Sequence, residues 1–183
     1  MAVVGGLTAA GLGIWQAVQN RQQRARELRW KQAQSAKELI DELFHEDLSN
    51  FATLMLDSWT RKYPVPQAGD VTITWEEVLE CLKVDSFQNE DPKSDFVRDC
   101  FDMLFYYLDR FEHLIQAGLT TFDDLRTPVQ YYVDLMAEDK AVLVPYIEIC
   151  KYKNIWQFLD RFPSWAAKEL SQESEAPRQM SAS

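Results

Sequence analysis

The amino-acid sequence predicts an all-α protein, an N-terminal single transmembrane helix followed by a compact helical bundle. Three observations point that way. The chain has only 6 Gly and 7 Pro in 183 residues, with 46% apolar and 13% aromatic content, and no run alternates Val, Ile or Thr as strands do. Its apolar residues recur at three- and four-residue spacing. Its first 20 residues carry no charged side chain. This length suits one domain with an appendage.

Ala2 to Val18 is apolar except for Thr8 and Gln16. At about 1.5 Å per residue it spans about 25 Å, slightly less than a hydrocarbon core of about 30 Å. Gly6/Ala10 and Ala9/Gly13 have the small-xxx-small spacing that lets helices pair closely, so this segment offers a route to homo-oligomers. Trp15 stands near its polar end, where interfacial aromatics belong. A basic collar follows: Arg21, Arg24, Arg26, Arg29 and Lys31 against Glu27, a net of +4 over residues 1–34. The whole chain carries −10, so the remainder carries −14. A cleaved signal would place its charges before the apolar run; here they come after it. Orientation by charge puts the N-terminus outside and the helical domain in the cytoplasm. The short lead leaves room for a start further upstream.

The expected organisation is an anchor over 1–20, a collar and first-helix start over 21–34, a helical bundle over 35–170 and a disordered tail over 171–183. From Arg21 the pattern is helical, with Leu28, Ala36, Leu39, Ile40, Leu43 and Phe44 on one side. Asp47 or Ser49 can cap a second segment that carries Leu48, Phe51, Leu54, Met55 and Trp59. Tyr63-Pro64-Val65-Pro66 ends it, and Gln67 to Thr74 reads as a loop. Thr74-Trp75-Glu76-Glu77 is a capping box that opens a short helix. Residues 85–91 form a polar link to the central helix.

That helix runs from Asp91-Pro92, a cap with a first-turn proline, to Gly118 as its stop. Its apolar residues cover an arc of about 200°, so neighbours should flank it on at least two sides. Phe101, Leu104 and Leu108 should be core. Thr121 can cap a short turn, Thr127-Pro128 starts a further helix, and Ala141 to Tyr152 is another, with Pro145 near its start. Asn154 to Phe162 is the last, stopped by Pro163, with Trp165–Leu170 as an extension.

The order of apolar lead, basic Arg21–Trp30, the segments KELIDELFHEDLSNFATLML and FYYLDRFEHLIQAGLTTFDDL, then VQYYVDLM and VPYIEI, resembles a bacterial family of unknown function. The resemblance covers about two thirds of the chain. It implies one N-terminal transmembrane helix and a small all-helical domain, and no activity.

No residue takes a catalytic, cofactor-binding or metal role from its motif. Glu42-x-x-His45 has the spacing of di-iron ligands, but the required second copy is missing: His113 follows Arg110, not a Glu. Asp95, Asp99, Asp102, Asp109 and His113 share one face of the central helix. Stacked carboxylates can hold Mg²⁺ or Ca²⁺, yet a charge run is more often a solvated face. Cys81, Cys100 and Cys150 read as buried free thiols. The tyrosines and tryptophans could line a groove, but at helical spacing they read first as core. Net negative charge argues against nucleic acid as a partner. No P-loop, dinucleotide fingerprint or nucleophile elbow occurs. The expectation is a non-enzymatic, membrane-tethered interaction module that contacts lipid through Trp15 and the collar and binds an unknown protein. A membrane-disturbing effector of toxin or phage-defence type, or a metal-dependent enzyme using the acidic face, are the alternatives.

Overall fold

The computed structural model of the protein describes residues 3–57, 60–88 and 91–166, with side chains from Trp15 onward. Its elements are α1 (Val3–His45), α2 (Asp47–Leu56), β1 (Arg61–Val65), β2 (Gly69–Ile73), α3 (Trp75–Leu82), a 3-10 turn (Val84–Gln88), α4 (Pro92–Gln116), α5 (Phe122–Met136), α6 (Lys140–Cys150) and α7 (Ile155–Leu159). The chain is a mostly helical, all-α bundle. Trp59 and the 171–183 tail lie outside the described residues.

α4 begins and ends where its local chemistry requires. An Asp91 carboxylate oxygen accepts from the Lys93 N–H at 2.9 Å, and Pro92 fills the first turn. At the far end the Gly118 N–H donates to the Ile115 carbonyl and the Leu119 N–H to the Leu114 carbonyl, both at 3.0 Å. Those two bonds make a Schellman stop, and Gly118 supplies the positive φ of 71° that it needs. Between these ends Phe101, Leu104 and Leu108 are fully buried. Each such side chain contributes about 1.5–3 kcal/mol on burial. Their neighbours are α2 on one side and α3 and α7 on others. Phe105 meets Tyr146 of α6 at 6.0 Å, and Phe111 meets Phe158 of α7 at 5.8 Å.

α1 is one unbroken helix of 43 residues. Residues 15–31 are exposed on every side, and burial begins in earnest at Ala36, Leu39 and Leu43. Local pairs support the exposed part and its base, including Gln23 with Glu27 at 3.0 Å and Lys37 with Asp41 at 2.8 Å. Arg110 of α4 ties down Glu42 at 2.6 Å. Among the described residues no helix is long and apolar enough to cross a membrane. From Val3 the apolar lead reaches only Val18 before Gln19, Asn20 and Arg21, and Gln16 interrupts it. α2 is capped by Glu46 rather than Asp47 or Ser49: the Glu46 carboxylate accepts from the Ser49 N–H at 2.7 Å.

The expected loop over Gln67 to Thr74 is instead half of an antiparallel hairpin. β1 pairs with β2 in the register Arg61 with Ile73 and Tyr63 with Val71. Tyr63, Val65 and Ile73 are buried while Pro64 points out. In a two-stranded ribbon both strands are edges, so Pro64 removes no needed donor. Pro66 and Gln67 form the bend, with Gln67 at φ 65° and the Ala68 N–H on the Val65 carbonyl at 3.2 Å. Tyr63 then stacks edge-on against Phe51 of α2 at 5.7 Å. The capping box at Thr74 forms in full: Glu77 N–H meets the Thr74 hydroxyl, and the Thr74 N–H meets Glu77.

α5 starts at Phe122, not at Thr127, and carries Pro128 inside it. Asp123 and Asp124 favour the earlier start through the helix dipole, so the chain accepts one missing N–H at Pro128. Pro145 likewise sits inside α6, which stops at Lys151 in the left-handed region at φ 58°. α7 is shorter than expected, and residues 163–166 form a separate helical turn that Pro163 opens. Buried Lys140 donates to the Trp165 carbonyl and lies 4.6 Å over its ring, fixing that turn.

Candidate functional site

The polar face of α4 divides into a structural part and an open part. Asp102 is the hub of the first. Its Oδ1 accepts from the Tyr146 hydroxyl at 2.9 Å and the Cys150 thiol at 3.3 Å, while its carbonyl accepts from the Tyr152 hydroxyl at 2.8 Å. Two turns on, Asp109 accepts from the Asn154 N–H at 2.6 Å and the Ile155 N–H at 3.2 Å, so it caps α7 from another helix. Asp102 and Asp109 are therefore not a solvated face, as the charge run suggested. Burial, then the Asp102 charge, pushes the Cys150 thiol up to about 12. The same two causes, in the same order, raise the Tyr146 and Tyr152 phenols. At neutral pH Cys150 is a protonated donor and no nucleophile. Cys100 is buried and pushed up further still by burial.

Asp95 and Asp99 form the open part. They stand between two clefts. One, about 360 Å³, is lined by Asp95, Arg98, Asp99 and Asp102 of α4, by Phe87 of the 3-10 turn and by Ile149 of α6. The other, about 200 Å³, lies under the hairpin bend at Pro66 and Gln67. Arg98 is built into the first wall. It donates to the Ser86 carbonyl at 2.6 Å and the Cys81 carbonyl at 3.1 Å, and its guanidinium lies 5.0 Å from the Phe87 ring centre. It also pairs with Asp95 at 3.4 Å. Asp99 has no ion pair among the described residues. Burial, then the charges of Asp102 and Asp95, raises its carboxyl.

The remaining sequence candidates are placed as follows. Glu42 pairs with Arg110, and the His45 ring nitrogen Nδ1 meets the Asp41 carbonyl at 2.7 Å; they share no ligand position. Among the described residues no group of three or more His, Cys, Asp and Glu side chains converges on a metal position. Trp15, Arg21, Arg24, Arg26 and Lys31 are all exposed. Arg29 is engaged: its guanidinium makes a two-pronged pair with Asp124 of α5, one arm at 2.7 Å. That pairing holds the Asp124 carboxyl below the usual carboxylate range. Gln32 donates to the Gly118 carbonyl at 3.0 Å, so the base of the collar is fastened to the ends of α4 and α5. Tyr146 and Trp165 are core, whereas Tyr106 and Tyr131 are exposed.

The sequence reading overlooked Glu112. It is 1% exposed and takes Arg161 through two bonds at 2.8 and 2.7 Å. A signal existed, because Glu112 falls inside the apolar arc of α4, where a charge requires a partner. The cleft walls had no such signal: Phe87, Arg98 and Ile149 belong to three separate elements. Comparison of the chain with protein-family models, with curated proteins and with solved structures finds no match.

Proposed function

We propose that the protein is a membrane-tethered helical interaction module, with the apolar lead of α1 held in or on a bilayer and the bundle presented to a protein partner. One observation carries the reading: the build of α1. Its apolar lead, its basic collar and its bundle-packed half are one continuous helix, and residues 15–31 touch little of the bundle. A helix exposed on every side along four turns, with charged residues around it, suits a spacer between two attachments. One attachment is the bundle, through Arg29, Gln32 and the core residues beyond. The other is the lead. Basic residues beside an apolar segment attract anionic lipid at about 1 kcal/mol each near the surface. Trp15 then stands at the interface. Residues Val18 to Ala36 would hold the first core residue about 27 Å from that surface, which suits a chain whose residues 35–183 carry −14 and are repelled by it.

The positive-inside argument favours a cytoplasmic bundle, and the resemblance to the single-span bacterial family supports the tether. A single Cys at Ser181, with Cys81, Cys100 and Cys150 replaced, tests both tether and side. The protein should sediment with membranes, and a membrane-impermeant maleimide should label it only after lysis. Recovery in the soluble fraction would remove the tether; labelling of intact cells would reverse the orientation.

A further inference from the structure

The exposed stretch of α1 has no cover among the described residues, yet it holds four large apolar side chains, Trp15, Val18, Leu28 and Trp30, each 46% exposed or more. It also holds Arg21, Arg24, Arg26 and Lys31, none of which forms an ion pair among the described residues. Such a helix is an unpartnered surface of stated chemistry: cationic heads with aromatic and aliphatic neighbours. Arg26 and Trp30, four residues apart, share a face.

The complementary chemistry exists on the same molecule. The larger cleft beside α4 is lined by Asp95, Asp99 and Asp102, by Arg98, and by the apolar Phe87 and Ile149. Asp102 is held by Tyr146 and Cys150 and Asp95 by Arg98, which leaves Asp99 as its uncommitted carboxylate. A long cationic side chain suits that cleft, with its methylene stem along Phe87 and Ile149 and its head at Asp99. Asp99 and the exposed edge of Ile149 are open to such a visitor.

A chain's own collar cannot reach its own cleft. Gln32 lies against Gly118 and Glu42 against Arg110, so α1 and α4 run antiparallel and the exposed stretch leaves beyond the C-terminal end of α4. Asp99 lies about 25 Å back along α4 from that end. The basic stretch and the Asp99 cleft therefore lie towards opposite ends of α4.

We propose that the exposed basic stretch of α1 in one copy docks into the Asp99 cleft of a second copy, head to tail. The contact is heterologous: each copy offers one stretch and one cleft, so association continues beyond a pair unless it closes into a ring. A stretch so engaged is not available to lipid, so this is the state of the chain off the membrane. It does not depend on the tether.

The test is sedimentation velocity of the full chain in mild non-ionic detergent without lipid. Wild type should grow past the monomer with concentration at about 0.05 M salt and revert at about 0.5 M, because exposed charge pairs are screened. Asp99→Lys alone, and Arg24→Ala/Arg26→Ala together, should each weaken association tenfold or more. Mixed one to one, the two variants should form a dimer and nothing larger, since one intact stretch then meets one intact cleft. Ile149→Lys serves as a second cleft variant should Asp99→Lys lose its wild-type circular dichroism. A wild type that stays monomeric overturns the proposal. So does association that survives both sets of substitutions, or collar substitutions that abolish binding to anionic vesicles while leaving wild-type sedimentation unchanged.

Discussion

The exposed stretch of α1 and the whole of α4 are both long helices, and different physics holds each. α4 owes its place to a wide apolar arc, an aspartate cap, a glycine stop and carboxylates that reach other helices. Residues 15–31 of α1 are exposed and, apart from the Arg29 pair with Asp124, rest on helix propensity, local side-chain pairs and continuity with the packed half beyond Ala36. A helix held by propensity alone is marginal at about 12–15 residues; here the bundle supplies the nucleus and the exposed part extends it. Identical secondary structure thus predicts opposite responses to substitution.

The largest contrast should come from two leucines. Leu104→Ala in α4 should destabilise by about 2–5 kcal/mol, the range for buried truncations. Leu28→Ala in α1 should stay within about 0.5 kcal/mol. Urea unfolding of the full chain measures both, and equal effects would erase the distinction. Next in size is Asp102→Ala. It strands the Tyr146 hydroxyl and Cys150 thiol and should cost about 1–3 kcal/mol. A neutral result would restore the solvated face that the sequence suggested. Gly118→Ala forces a Cβ into the left-handed region and should cost about 1–2 kcal/mol, read as a lowered melting temperature. A substitution such as Ala25→Gly in α1 should lower helicity by circular dichroism and leave that temperature alone.

The smallest effect is on acid stability. The Ser94 hydroxyl holds Asp91 below the ordinary carboxylate range, and the Thr74 N–H does the same for Glu77. A depressed folded value adds stability above the unfolded value, about 4, that is lost as pH falls through the folded one. Asp99 has the opposite sign, since its raised value disfavours the folded state as pH rises. Melting temperature should fall on acidification below about pH 4. Asp91→Asn, which keeps a good cap but cannot titrate, should flatten that fall. An unchanged slope would mean that other carboxylates dominate.

What the sequence disclosed follows distance along the chain. The Asp91-Pro92 start, the Gly118 stop and the Thr74 capping box involve residues within six positions of each other, and all were legible. The hairpin was hidden by Pro64 and Pro66, which read as terminators although Tyr63 and Val65 already alternate with them. Pro128 misled in the same way, because packing outweighs one lost N–H, whereas Pro145 was read inside its helix, where it lies. The roles of Asp102 and Asp109 depend on partners 44 to 50 residues later. No periodicity reports a bond of that range. The cleft is further still from local reach, since its walls meet only after the bundle forms.

The continuity of α1 gives the molecule a rotational phase. With no hinge between the lead and Ala36, the direction in which the bundle faces is set by the residue count between them. One inserted residue would turn the bundle by about 100° around the helix axis and raise it by about 1.5 Å. Seven would raise it by about 10 Å and return it to within about 20° of its original facing. Height and heading are thus separate settings of a single helix, and an insertion series from one to seven residues would tell which of the two a partner of the bundle reads.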